Sequence, residues 1–212
     1  MVHQDNIVPM SADMSYGVAA LAEPVGCVLN GVDAIDTAKV DNAMVFGSGP
    51  IGLLMALALR TKGIKDICMV DINEFRLELA ESFGFSSVAA ASDDLASRHQ
   101  SVDLAVDATG VPAVAESLIN YVANGGSVSF FGVCPPGKTI ALSPHDVFRR
   151  QISIAGTHSL NHNIPEALQT IDDIGPDISR LISHSVELDE IEGFLLKSGP
   201  QDSLKVQSVM SG

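Results

Sequence analysis

Three glycines stand where an apolar, strand-like segment is followed by a helix-like one. They are Gly47, Gly49 and Gly52 of the sequence GSGPIG. In this arrangement the first glycine permits a tight turn, the second lets a ligand approach the backbone, and the third lets the helix lie close to the sheet. Pro50 suits the first helical turn, where its missing N–H is not needed. Because free N–H groups and the helix dipole favour an anion here, the spacing predicts a pyrophosphate-binding turn.

A carboxylate follows this turn at the end of the next predicted strand. Asp71 lies about 20 residues beyond the last glycine, the separation typical of an acidic residue that binds an adenosine ribose. Its charge would repel a 2′-phosphate, so the two signals together favour NAD over NADP. Two alternatives stay open: an ordinary turn in which Asp71 only caps the next helix, and an S-adenosylmethionine-dependent methyltransferase. Methyltransferases commonly end the first strand in an acidic residue, where this sequence has Val45 and Phe46.

The elements that must position these residues alternate along the chain. Segments rich in Val, Ile and Phe alternate with amphipathic ones, which indicates βαβ units and a doubly wound parallel sheet of the α/β class. Six strands are predicted at 43–46, 66–70, 87–90, 103–107, 127–131 and 152–155, with helices at 51–62, 74–83, 111–122 and 143–149. After residue 158 the pattern predicts a helix at 164–171, an extended piece at 181–186, a helix at 188–197 and a strand at 204–209.

Composition limits the possible functions. The 212 residues are 46% hydrophobic, which suffices for the core of one good-sized domain. A net charge of −14 without a basic cluster argues against nucleic acid as a partner. The sequence shows neither a membrane-spanning apolar run nor a secretory signal, so a cytoplasmic location is expected. Cys27, Cys68 and Cys134 are far apart among small or apolar neighbours, and we expect reduced core cysteines.

Several segments, taken in order, resemble the zinc-dependent medium-chain dehydrogenases, and the sorbitol and polyol branch is the most similar. These segments are EPVGCVLNGV (23–32), GSGPIG, VDINEFRLELAESFG, DATG (107–110), GGSVSFFGV (125–133) and LISHSVELDEIEGF (181–194). The resemblance implies a connecting segment at 1–32, an NAD-binding Rossmann domain at 33–158, and a segment at 159–212 that completes the catalytic domain in full-length members. Remnants of that catalytic domain would therefore flank the sheet at both ends.

The resemblance also implies contacts with the cofactor. Ile51 would touch it, Arg76 would lie beside Asp71 at the ribose, and the stretches 132–133 and 157–159 would approach the nicotinamide. Arg76 could instead be a solvated helix residue that pairs with Glu74. The end of the fourth strand joins the set because open α/β sheets bind ligands outside the carboxyl ends of their strands. The predicted cofactor-binding residues are Gly47, Gly49, Pro50, Ile51, Gly52, Asp71, Arg76, Thr109, Gly110, Gly132, Val133, Thr157, His158 and Ser159.

Catalytic zinc is where the sequence departs from the family pattern. Members ligate zinc through a cysteine and a GHE-type segment, and neither motif occurs here. Glu23 matches the zinc-proximal glutamate of the polyol branch, although before Pro24 it could simply favour a helix start. His158 and His162 have an i, i+4 spacing, but the residues between them are typical of a loop, and we expect His184 to be structural. Three protein ligands are usual for catalytic zinc, so no metal site is expected in this chain.

The expected activity is hydride transfer between an alcohol or polyol and NAD, with this chain a truncated, NAD-binding part that is inactive alone. The alternatives are a non-catalytic NAD-binding fragment and a subunit that regains a site on a separate zinc-bearing chain. A homodimer or larger assembly is expected, and the resemblance implies the edge of the sixth strand as its interface. In relatives the tail pieces 181–186 and 204–209 would pair and pack with the catalytic domain, which this chain lacks.

Overall fold

The computed structural model describes residues 3–4, 7–196, 200 and 202–209. Six parallel strands form one sheet in the order β3-β2-β1-β4-β5-β6. This arrangement confirms the predicted doubly wound α/β class and the six predicted strands, with ends shifted by a few residues. The strands are β1 (Asn42–Phe46), β2 (Asp66–Asp71), β3 (Ser86–Ala89), β4 (Val102–Asp107), β5 (Val122–Phe130) and β6 (Ser153–Gly156).

The helices cover the sheet so that two separate apolar clusters form around its strands. The helices are α1 (Tyr16–Ala19), α2 (Ala22–Asp33), α3 (Pro50–Thr61), α4 (Glu74–Ser82), α5 (Asp93–Ser97), α6 (Pro112–Ser117), α7 (Pro144–Arg150), α8 (Ile164–Ile174) and α9 (Ile191–Leu196). Helix α3 is buried along almost its whole length, whereas α2 and α8 bury one apolar side. None of the helices in the described ranges is long and apolar enough to cross a membrane.

The centre of the sheet is its most completely buried part. Val45 of β1 pairs in register with Met69 of β2 on one side and Val106 of β4 on the other, and all three side chains are inaccessible to solvent. Strands covered on both faces read as continuous apolar runs, which is why these strands were recognisable in the sequence. The carboxyl ends of β1, β2 and β4 are thereby fixed side by side.

The predicted helix at 111–122 is wrong in its second half. The α-helix ends at Ser117, a 3₁₀ turn covers Leu118–Asn120, and β5 already begins at Val122. Val122 pairs with Val102 before a register shift in β4, so pairing with the sheet extends the strand toward its amino end. The Arg150 guanidinium stabilises this junction by donating hydrogen bonds to the carbonyls of Ile119 and Val122.

Segment 1–32, expected to connect domains, contains most of a buried helix. Helix α2 packs against both α3 and α8. Its side chains Val25, Val28 and Val32 belong to the same apolar cluster as Leu57 of α3 and Ile171 of α8. Residues from all three predicted segments therefore share one core, while the boundaries at 32 and 158 stay a prediction.

The C-terminal strands form a small sheet of their own. β7 (Ile182–Val186) and β8 (Lys205–Ser208) run parallel and pair only with each other among the described residues. The predicted pieces 181–186 and 204–209 are thus confirmed as strands. The predicted helix at 188–197 is shorter, because α9 covers Ile191–Leu196, and residue 197 lies outside the described residues.

Candidate functional site

A cavity of about 550 Å³ opens at the carboxyl ends of β1, β2 and β4. This is the point of the sheet where successive connections change direction, from β3 and β2 on one side to β4 and β5 on the other. Open α/β sheets bind ligands at such a switch point. The structure brings eight predicted residues together in its lining: Gly47, Gly49, Pro50, Ile51, Gly52, Asp71, Arg76 and Thr109.

The three glycines differ in what surrounds them. Gly47 has φ of +101°, a left-handed conformation that other residues rarely adopt, and its N–H donates to the carbonyl of Val70. A Cβ on Gly52 would lie 1.7 Å from the Gly47 carbonyl oxygen, so this position holds the start of α3 against the turn. A Cβ on Gly49 would meet nothing closer than 3.8 Å. The space beside Gly49 is open, as a ligand-binding turn requires.

The Asp71 carboxylate joins the end of β2 to the glycine turn. One oxygen accepts a hydrogen bond from the Ser48 N–H at 2.7 Å, and the other accepts from the Asn73 N–H at 2.9 Å. Helix α4 is capped by the side chain of Asn73, which accepts from the Arg76 N–H. Asn73, and not Asp71, is therefore the N-cap of α4, while the use of the turn by a ligand stays a prediction. The Asp71 carboxylate lines the cavity beside the turn.

Arg76 lies next to this carboxylate. Its guanidinium Nη1 is 3.9 Å from Asp71 Oδ2, and the same atom is the nearest neighbour of the open space at Gly49. Its Nε is buried and has no hydrogen-bond partner in the part of the chain that the structure describes. The ion pair described for Arg76 is thus with Asp71, at the cavity, and not with Glu74 on the helix surface.

The predicted residues after β4 and β5 form a second group beside the first. Gly110 has φ of +70°, and a Cβ there would lie 2.5 Å from the Val133 carbonyl oxygen. A Cβ on Gly132 would lie 2.2 Å from the Gly110 nitrogen. The two loops therefore touch, backbone to backbone. Gly132 lines a neighbouring cavity of about 440 Å³, and the Val133 side chain is exposed.

The stretch after β6 is not part of the lining of either cavity. Thr157 is half-buried, while His158 and Ser159 are exposed. The Asn30 side-chain amide of α2 donates to the Ser159 carbonyl at 2.9 Å and approaches that of His158 at 3.5 Å. The predicted contact of residues 157–159 with a cofactor stays a prediction.

The residues considered for zinc do not form a metal site. Glu23 is exposed in the first turn of α2, and its Oε1 accepts a hydrogen bond from the Cys27 thiol at 3.4 Å. Burial, and then this hydrogen bond and the negative charge of Glu23, raise the pKa of Cys27. Among residues 3–4, 7–196, 200 and 202–209, no group of three or more His, Cys, Asp or Glu could hold a metal ion. The zinc ligand set of the family therefore does not fit the described residues.

The histidines and cysteines considered in the sequence lie in a loop, in the small sheet or at buried and half-buried positions. His158 and His162 lie in a loop, as predicted, and His162 has a positive φ. The His184 ring on β7 contacts Phe194 and lies 2.8 Å from the Ser183 hydroxyl. Of the three cysteines only Cys68 is buried, so the expectation of core positions is wrong for Cys27 and Cys134, which are half-buried.

The cavity also contains residues that sequence reasoning missed. Ile72 is 91% exposed directly after Asp71, and Ala90, Val111 and Val114 complete the apolar wall. Apolar side chains carry no chemical signal, but each of them lies shortly beyond the end of a strand or at the start of a helix. Such an apolar wall next to a glycine turn at the start of a helix suits a planar ring joined to a phosphate. These four residues could have been predicted from the sequence only by their position just beyond the predicted strand ends.

Comparison with known proteins agrees with this geometry. The family described as zinc-binding dehydrogenase matches residues 50–173, more than half of the chain. The chain belongs to the zinc-binding dehydrogenase family. This membership confirms the resemblance noted in the sequence and argues against the methyltransferase considered as an alternative.

Individual relatives extend the comparison. D-altritol 5-dehydrogenase of Agrobacterium fabrum is 44% identical over 200 residues, which cover 92% of this chain and 59% of the relative. A protein of Sinorhizobium meliloti described as a zinc-binding dehydrogenase, solved bound to NADP, has a TM-score of 0.88 at 22% identity, covering 95% of this chain and 61% of its own. A short chain alcohol dehydrogenase from E. coli CFT073, solved with NADH, has a TM-score of 0.89 at 18% identity, with 99% and 64% covered. The chain spans about three fifths of the length of these relatives.

Proposed function

We propose that this chain binds NAD across the carboxyl edge of the six-stranded sheet and is the cofactor-binding part of an alcohol or polyol dehydrogenase. The observation that carries the proposal is the Asp71 carboxylate, which lines the cavity and is held by the N–H of Ser48 in the glycine turn. Dinucleotide-binding folds place an acidic residue there to bind the 2′- and 3′-hydroxyls of the adenosine ribose. A 2′-phosphate at this position would meet the negative charge of Asp71.

The order of strands supports one arrangement of the dinucleotide along the sheet. Asp71 at the end of β2 would bind the adenosine ribose, and the glycine turn after β1 would hold the pyrophosphate at the start of α3. The nicotinamide half would then extend over β4 and β5, toward Thr109 and Gly132. Bound NAD supplies the hydride acceptor. The residues of this chain bind the cofactor, orient it along the sheet and exclude water with the apolar wall.

Two features support an alcohol or polyol as the substrate class of the whole enzyme. The chain belongs to the zinc-binding dehydrogenases, and its 44%-identical relative acts on D-altritol. The described residues hold no ligand set for zinc, so we propose that this chain alone binds NAD without oxidising polyols. A pure cofactor-binding role and a role as subunit of a zinc-bearing partner are the alternatives. Activity that appears only on adding a zinc-bearing chain would favour the latter.

We also propose that two copies of the chain associate through β6. This strand is at the end of the sheet and pairs only with β5 among the described residues, and Ile154 on it is 40% exposed. An unpaired strand edge can extend a sheet into a second copy, and a two-fold arrangement closes the assembly. The cytoplasmic location expected from the sequence stays a prediction.

The experiment that tests NAD binding is a calorimetric titration of the purified chain with NAD and with NADP. We expect tighter binding of NAD, and we expect Asp71→Asn to narrow the preference because the repelling charge is lost. Asp66→Asn is the matched control, since Asp66 begins the same strand at the opposite end of the sheet and is exposed. Equal affinity of the unchanged protein for the two cofactors would contradict the proposal.

A further inference from the structure

Asp107 is a fully buried carboxylate that the proposed cofactor contacts do not use. It ends β4 and has no measurable exposure to solvent. No Lys or Arg is paired with it among the ion pairs of the described residues. Removing an unpaired carboxylate from water is strongly unfavourable unless hydrogen bonds replace the water. Its surroundings must therefore supply those hydrogen bonds.

The donors come from the turn that directly follows β4. Oδ1 of Asp107 accepts from the Thr109 N–H at 2.8 Å and from the Thr109 hydroxyl at 2.6 Å. The Gly110 N–H is shared between the two carboxylate oxygens at 3.2 and 3.3 Å. The Thr109 hydroxyl in turn accepts from the Val111 N–H at the start of α6. One carboxylate thus fixes the whole turn from 109 to 111.

The backbone of Asp107 fixes the neighbouring loop as well. Its carbonyl oxygen accepts from the N–H groups of Phe131 and Gly132, at 3.1 and 2.7 Å. Thr109 also touches the glycine turn, because a Cβ on Gly47 would lie 3.0 Å from the Thr109 methyl group. The ends of β1, β4 and β5 are therefore coupled through one residue, on the side of the sheet away from Asp71.

We infer that Asp107 is a positioning residue that shapes the binding edge for the nicotinamide half of the cofactor. The inference rests on the proposed function, which places the adenosine half at Asp71 and the nicotinamide half over β4 and β5. Asp107 has no exposed surface of its own and acts through the residues that it holds. It holds Thr109, Gly110 and Gly132 in a conformation in which their backbones can contact the nicotinamide half of the cofactor.

The test compares two ligands that share the adenosine half. NAD and ADP-ribose both contain the adenosine and the pyrophosphate, but only NAD carries the nicotinamide. We expect Asp107→Asn to weaken NAD binding by about tenfold, because an amide nitrogen would face donor N–H groups and disturb the turn. ADP-ribose binding should change by less than about twofold. A general loosening of the structure would weaken both ligands equally.

Asp103→Asn is the matched control. Asp103 lies near the start of the same strand, and its carboxylate likewise accepts two backbone N–H groups, from Asp41 and Asn42, at 3.0 and 3.2 Å. This substitution removes a similar structural contact at the opposite edge of the sheet. We expect the ratio of NAD to ADP-ribose affinity to stay unchanged.

Thr109→Val keeps the assay decisive if Asp107→Asn fails to fold. It retains the shape of the side chain and removes the hydroxyl that donates to Asp107, and the same selective loss of NAD affinity is expected. An unchanged affinity ratio in both variants would overturn the inference, as would equal affinities of the unchanged protein for NAD and ADP-ribose. Failure of the unchanged protein to bind either ligand would instead contradict the proposed function.

Discussion

The two sheets of the molecule differ in how many of their strands are hydrogen-bonded on both sides and in how far their side chains are buried. In the six-stranded sheet, β1, β2 and β4 are hydrogen-bonded on both sides, and most of their side chains are buried. In the β7–β8 pair every side chain of β8 is only half-buried, and each strand has one partner. Parallel strands are normally covered on both faces, and two-stranded sheets are marginal by themselves. The large sheet therefore builds a site, whereas the small one depends on what lies next to it.

The small sheet, which lacks further neighbouring strands among the described residues, makes a hydrogen bond to the N-terminal region instead. The Gln207 side chain of β8 donates to the Gly17 carbonyl at 2.7 Å. Ser183 of β7 donates to the Lys205 carbonyl and accepts from the Leu204 N–H, which adds side-chain bonds across the pair. The small sheet is thus attached to α1 rather than to the strands of the large sheet.

The largest effect is expected at the glycine turn. Gly49→Val should abolish NAD binding, since the side chain fills the open space where backbone and pyrophosphate would meet. The fold should survive, because the nearest atom to a Cβ there is the end of the Arg76 side chain at 3.8 Å. Calorimetric titration and circular dichroism measure the two outcomes. Unchanged NAD affinity in a folded Gly49→Val protein would remove the phosphate role of the turn.

Gly52→Ala separates binding from folding within the same turn. A Cβ at this position would lie 1.7 Å from the Gly47 carbonyl oxygen, so the turn must shift to accept it. We expect a marked loss of thermal stability together with the loss of binding. A Gly52→Ala protein that is as stable as the unchanged chain would contradict the tight packing of α3 on the turn.

Shortening one apolar side chain in or next to each sheet should lower the free energy of unfolding by different amounts. Leu57 on α3 is fully buried under the large sheet, and Leu57→Ala should lower the free energy of unfolding by about 2–5 kcal/mol. Val206 on β8 is half-buried, so Val206→Ala should cost less than about 1 kcal/mol. Urea denaturation followed by circular dichroism measures both values. Equal losses would mean that the small sheet is as much a part of the cooperative core as the large one.

Proline at the edge of the large sheet tests the proposed dimer. Neighbouring residues in a strand direct their N–H groups to opposite sides, so one of Ser153→Pro and Ile154→Pro removes an outward donor. That variant should convert the dimer to a monomer with the fold retained, as measured by light scattering at micromolar concentration. If the unchanged chain is already monomeric, or if both variants remain dimeric, β6 is not the interface.

The sequence predicted the large sheet well and the region around it less well. Apolar runs such as that of β1 identify a strand wherever both faces are buried, and the glycine turn, weak evidence by itself, is strengthened by Asp71 at the end of the next strand. Helix α2 was not predicted as a whole, although a helix start at Glu23 and Pro24 was considered, because Gly26 and Gly31 lower the helix propensity of the segment. Pro24 lies in the first turn, where its missing N–H costs nothing. Gly26 and Gly31 let α2 approach the side chains of Asn163 and Phe131, contacts more than 90 residues apart that no local pattern reveals.

The same limit applies to the site. Asp71 could be found because its distance from the glycines is a known spacing. The role of Asp107 depends on three loops that meet only in the folded sheet, although its place at a strand end was visible in the motif DATG. The residues of the apolar wall have no sequence motif and could be recognised only by their position near the strand ends. Residues that act through shape or through other residues are therefore the ones that the sequence conceals.

The smallest expected effect tests whether the small sheet is docked on the rest of the molecule. Cys27 on α2 has its pKa raised chiefly by burial and also by Glu23, whereas the positive charge of Lys205 on β8 lowers it. The thiolate is the reactive form, so in a Cys134→Ser background Glu23→Gln should speed the reaction of Cys27 with a disulfide reagent at pH 8 by about twofold. Lys205→Gln should slow it by a similar factor, because loss of the positive charge raises the pKa. If Lys205→Gln leaves the rate unchanged while Glu23→Gln raises it, β8 does not lie beside α2 in solution, and the small sheet needs another surface to hold it.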